Sequence, residues 1–95
     1  MIKINISKDE ITIKGHSGYA SDGSDIVCAS VSSITITTVN ALLSIDEDCI
    51  EYIEKDGYLN IKINKHNETI DKLIDNMVTL LKELEKQYKK NIEIR

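Results

Sequence analysis

The chain has 95 residues, with 12 Lys and Arg against 16 Asp and Glu, and a formal net charge of −4. That length predicts one domain over residues 1–95, since two independent cores seldom fit in so short a chain. The negative balance argues against a direct nucleic-acid partner, which needs a basic face.

With no Phe, no Trp and four Tyr, the core is expected to be aliphatic and dominated by Ile. Ile2, Ile4 and Ile6 alternate with polar residues, Ser7-Lys8-Asp9-Glu10 offers a turn, and Ile11 and Ile13 alternate again, which predicts a β-hairpin. From Gly15 to Asp25 the pattern stops, and glycines, serines and aspartates mark a loop. Loops of this length in so small a domain tend to be functional. The stretch from Asp25 to Ser44 is rich in β-branched residues, yet it runs about four times the usual ~5–6 residue strand without a turn signal. Val27, Val31, Ile34, Thr38 and Leu42 fall on one helical stripe, with Ser24 or Asp25 as cap, so a buried helix is predicted there.

Ile50 to Glu54 and Tyr58 to Ile63 flank Lys55-Asp56-Gly57, and Asp-Gly between apolar runs signals a tight hairpin at positive φ. Asn67 is placed to cap an amphipathic helix carrying Ile70, Leu73, Ile74, Met77, Leu81, Leu84 and Tyr88. Glu68 and Asp71 lie near its start and Lys86, Lys89 and Lys90 near its end, which suits the helix dipole. Ile92 and Ile94 suggest a short last strand. The predicted fold is α+β, order ββαββαβ: an antiparallel sheet from two hairpins and a C-terminal strand, with two helices packed on it.

Cys28 and Cys49 make no disulfide framework. The alternating N-terminus does not read as a secretory signal, and no stretch is expected to approach the ~18 apolar residues of a membrane span. The expectation is a cytoplasmic protein with no membrane partner, where a reduced thiol can serve as a nucleophile.

Cys28 falls in the first turn of the predicted first helix, where unpaired N–H groups and a partial positive charge favour a thiolate and can hold an oxyanion. His16 lies at the other end of the loop, and folding the loop back would bring its imidazole to the thiol. Asp25 either orients His16 or caps the helix. On chemistry alone, a single cysteine on an apolar helix is more often an inert core residue, and Cys49 is read that way. His66, just before the second helix, is expected to face solvent. A zinc site from His16, Cys28, Cys49 and His66 lacks the usual close ligand spacing, and no metal is expected.

The segments Gly15-His16-Ser17-Gly18-Tyr19-Ala20 and Gly23-Ser24-Asp25-Ile26-Val27-Cys28-Ala29-Ser30-Val31-Ser32 resemble the paired signature of the bacterial ribosomal-processing cysteine protease family, Prp. The spacing of His to Cys matches, as does an Asp three residues before the Cys. Thr37-Thr38-Val39-Asn40-Ala41-Leu42 is similar to the rest of that family's first helix. Ser17 and Ser30 stand where the family often has Ala, a mild departure between small residues. The resemblance implies a cysteine endopeptidase with Cys28 as nucleophile and His16 as general base, Asp25 in a supporting place, and no cofactor. It implies a homodimer whose substrate is the short N-terminal extension of large-subunit ribosomal protein twenty-seven, cut after an aromatic residue and before a small one. The loop residues Gly15, Gly18, Tyr19 and Gly23 are candidates for a segment that closes on the substrate peptide. Two other readings remain at this stage. One is a dimeric ribosome-assembly module that grips a ribosomal protein without cutting it. The other is a different thiol enzyme, such as a thioesterase.

Overall fold

The computed structural model describes residues 1–15 and 24–95, and of residues 24 and 25 the backbone only. Seven elements follow in order: β1 (Ile2–Ile6), β2 (Glu10–Lys14), α1 (Ser24–Ile45), β3 (Ile50–Lys55), β4 (Tyr58–Ile63), α2 (Glu68–Gln87) and β5 (Ile92–Ile94). This is the predicted order. The strands form one sheet, β3-β4-β2-β1-β5.

Alternation builds the two faces of the sheet. Ile4 sits opposite Ile13, Ile13 opposite Leu59, and Ile11 opposite Ile61, and all five are buried. The intervening residues Lys3, Lys14, Glu51 and Lys62 are exposed. Asn60 is buried on this second face because its side-chain amide donates to Glu10 Oε2 at 3.0 Å and to its cross-strand partner Thr12 Oγ1 at 2.9 Å.

The predicted antiparallel sheet is mixed: β5 runs parallel to β1, with Ile2 opposite Ile92 and Ile4 opposite Ile94. The reason is connectivity. A helix between two strands of one sheet carries the chain back to the end where it began, so the strands on either side of it run parallel. That holds for β2–α1–β3 and for β4–α2–β5, as the pairings of β4 with both β2 and β3 require.

The helices α1 and α2 pack against each other over the buried face. In α2 the stripe is as read: Ile70, Met77 and Leu81 are buried and Leu73, Ile74, Leu84 and Tyr88 pack against them. Asn67 caps the helix, its side-chain oxygen accepting from Ile70 N at 2.9 Å. Only Lys86 lies in its last turn, with Lys89 and Lys90 in the turn beyond.

In α1, Val27, Val31, Thr38 and Leu42 are buried as read, but Thr35 is fully buried while Ile34 is only partly so. Thr35 can take that place because its hydroxyl donates to Val31 O at 2.7 Å, inside its own helix. The expectation about apolar length needs correcting: Ile26–Ile45 carries no charged residue and is long and apolar enough to cross a membrane by those measures alone. In this fold it packs with α2 over the buried face of the sheet, burying Val27, Val31, Val39 and Leu42.

A candidate thiol site at the end of the sheet

At one end of the sheet β1 and β4 begin, β2 and β3 end, and α1 starts. Gly57 closes the β3–β4 hairpin there at φ 70°. Asp56 does not share the positive φ, as no non-glycine residue among those described has one. Gly15, just past β2, takes φ 87° and its N–H donates to Gly57 O at 2.8 Å. A Cβ at Gly15 would stand 2.5 Å from Met1 O, so only glycine lets the chain leave β2 so close to the N-terminal strand.

Between these strand ends and α1 lies a cavity of about 510 Å³. Cys28, half-buried, lines it. Val31 and Thr35 continue its α1 wall, Ile2, Ile13 and Leu59 form an apolar floor, and Gly15 and Gly57 border the opening. Because α1 begins at Ser24, Cys28 is its fifth residue, just past the first turn rather than in it. That is about 6 Å from the helix start at 1.5 Å per residue, still near the positive end of the dipole. Ser32, one turn further along α1, lines the same cavity. It was not singled out in the sequence, where its signal is only the i, i+4 spacing from Cys28.

Cys49 differs in every respect. It is fully buried, and its thiol donates to Leu42 O at 3.4 Å. Burial, followed by the nearby Asp46 charge, pushes its thiol above the ordinary range. His66 is not simply solvent-facing. Its Nδ1 meets Asp71 Oδ1 at 2.8 Å and its Nε2 meets Asp9 Oδ1 at 2.6 Å. The two hydrogen bonds, Asp71's first, hold its pKa above the usual imidazole value.

Of the predicted site residues, Cys28 and Gly15 come together on one cavity. His16, Gly18, Tyr19 and Gly23 lie outside the described residues, as does the side chain of Asp25. Among the described residues no three His, Cys, Asp or Glu side chains gather where a metal would bind.

The family model for the cysteine protease Prp matches residues 1–93. The chain belongs to the Prp family of cysteine proteases. Curated relatives named ribosomal processing cysteine protease Prp include one from Staphylococcus aureus (strain NCTC 8325 / PS 47), 26% identical over 88 residues, covering 90% of this chain and 83% of the relative. One from Bacillus subtilis (strain 168) is 28% identical over 87 residues, covering 84% and 78%. Among solved structures, the S. aureus Prp protease in complex with a substrate peptide matches with a TM-score of 0.85 over 99% of this chain and 95% of that one. At 22% identity, that likeness shows the fold: the mixed sheet and both helices are those of Prp structures.

Proposed function

We propose that this chain is a ribosomal-processing endopeptidase in which Cys28 is the nucleophile and His16 its general base. The observation that carries the reading is the placement of Cys28, near the positive end of α1 and on the wall of a cavity large enough for peptide side chains. His16 is bonded to Gly15, which lines the same cavity, and that connectivity supports an imidazole acting there.

In the proposed reaction, His16 takes the proton of Cys28 and the thiolate adds to the scissile carbonyl. The helix N-terminal dipole favours the oxyanion, and His16 then protonates the leaving amine as the thioester forms. Water, activated by His16, hydrolyses the thioester and frees the thiol. Asp25 supports this arrangement; α1 begins at Ser24, so Ser24 and Asp25 are its first two residues rather than the expected cap.

The substrate, by family resemblance, is the N-terminal extension of large-subunit ribosomal protein twenty-seven, cut between an aromatic and a small residue in support of ribosome maturation. The apolar floor of Ile2, Ile13 and Leu59 suits a large apolar side chain. The S. aureus relative has been solved with a substrate peptide and with a covalently linked product peptide, which favours cutting over mere gripping. A homodimer is part of the proposal. The outward side of α1 offers Ile26 and Ile45, both more than half exposed, among Ala29, Ser33, Thr37 and Asn40 with no charge, a composition suited to covering by a second copy. The cytoplasm, which keeps the thiol reduced, is the proposed compartment. The net charge of −4 supports acting without direct nucleic-acid contact.

The test is to incubate the protein with ribosomal protein twenty-seven from the same cell and read intact masses. The wild type is expected to remove the N-terminal extension, while Cys28→Ala and His16→Ala leave it whole. An unshortened substrate with the wild type overturns the proposal.

A further inference from the structure

The helix-facing side of β3 reads Ile50, Tyr52, Glu54. Ile50 is buried and Tyr52 packs against the core. Glu54 stands in the same phase, cross-strand from buried Leu59. Burial first, then the charge of the nearby Glu54 carboxylate and its pull on the phenol proton, push the Tyr52 phenol above its usual range. Strand alternation calls for an apolar residue at position 54. A carboxylate stands there instead, exposed, on the wall of the cavity that Cys28 lines. Departures from an otherwise consistent pattern concentrate at functional sites.

We propose that Glu54 is a specificity-determining residue that receives a cationic group of the substrate, within one cavity of the bond to be cut. The inference deepens the endopeptidase reading above and rests on it. A carboxylate has about four acceptor positions, so Glu54, exposed beside the Tyr52 phenol, has room for an ammonium or guanidinium. That cation comes either from a Lys or Arg side chain or from the free amine at the substrate's N-terminus. Lys55, the next residue, lines the same cavity together with its cross-strand partner Tyr58. Asp56, at the turn, adds a second carboxylate to the cavity border. The simpler role for an inward-facing charge on an edge strand is to discourage strand pairing between molecules. That role would leave substrate kinetics untouched.

An exposed ion pair contributes about 1 kcal/mol or less, roughly fivefold in affinity, and equally in ground and transition states. Glu54→Gln should therefore raise KM with kcat unchanged. The probes are quenched peptides spanning the cleavage region of ribosomal protein twenty-seven from the same cell. One keeps its own Lys and Arg, one has them replaced by norleucine, and one is acetylated at its N-terminus. Glu54→Gln is expected to raise KM about fivefold on the cationic peptide and to have no effect on whichever neutralised peptide lacks the recognised cation. That arm also separates side chain from terminal amine. Glu54→Lys should restore cleavage of a peptide whose recognised Lys is replaced by Glu. A KM unmoved by Glu54→Gln, or moved equally on all three peptides, overturns the assignment while leaving the protease reading intact. A wild type that cuts none of them overturns both.

Discussion

The two cysteines sit toward opposite poles of the same helix. Cys28 lies near the start of α1 and on a cavity, whereas the Cys49 thiol donates to the carbonyl of Leu42 near the end of α1, with no exposed surface. The N-terminal pole of a helix favours a negative charge and the C-terminal pole opposes one. Burial and Asp46 add to the second effect at Cys49. One chemical group thus stands at the open start of the helix and in the closed core near its end. The lesson is that the pole and the opening, not the residue type, separate the two sites.

The hardest test of that contrast is kinetic. Cys28→Ala should lower kcat/KM on a ribosomal protein twenty-seven peptide by about a thousandfold or more, as loss of a covalent nucleophile does. Cys49→Ala should leave kcat/KM within about twofold and instead cost about 1–2 kcal/mol of stability by emptying a small core position, read by urea unfolding. Activity that survives Cys28→Ala would break the contrast.

A chemical version sharpens it. Iodoacetamide at neutral pH, followed by peptide mass mapping, should label Cys28 at least about a hundredfold faster than Cys49, because the thiolate is the reacting species and access is needed. Cys49 should catch up only in denaturant.

Next in size is the backbone that borders the cavity. Gly15→Ala places a Cβ against the Met1 carbonyl at a φ of 87°. We expect a loss of about 2–3 kcal/mol by urea unfolding, from strain combined with overpacking. Cleavage should fall as well, because Gly15 borders the cavity and leads into His16. A variant as stable and active as wild type would show that the close approach of β2 to Met1 does not shape the site.

Much of this fold was legible because its signals are local. Ile alternation gave β1 and β2, Asp56-Gly57 gave the second hairpin, and Asn67 gave the start of α2. What was not legible is what distant segments decide together. The parallel setting of β5 follows from a crossover over two strands, and nothing within Ile92–Ile94 announces it. The exchange of Ile34 for Thr35 in the core depends on a hydroxyl finding Val31 O, which a hydropathy stripe does not see. At the site, Cys28 read on its own chemistry, as a single cysteine on an apolar helix, pointed to an inert thiol. Only the β3–β4 turn and Gly15, brought up from elsewhere in the chain, leave a cavity beside it. The clamp of His66 by Asp9, 57 residues away, was equally hidden.

That clamp supplies the smallest and most directional test, at the sheet end away from the cavity. Each ring nitrogen of His66 faces a carboxylate, Asp71 on one side and Asp9 on the other, and only the doubly protonated imidazolium can donate to both. The folded pKa is therefore raised. The stabilisation is fully present below the unfolded histidine value of about 6.5 and is lost as pH rises through the higher folded value. His66→Gln keeps a donor but no charge. The melting temperature of the wild type should exceed that of His66→Gln by more at pH 5.5 than at pH 8.5, with kcat/KM the same in both proteins. A gap that is constant with pH, or that widens toward alkaline pH, would show that the imidazole joins the β1–β2 turn to α2 as a neutral group and that its charge contributes nothing to the fold.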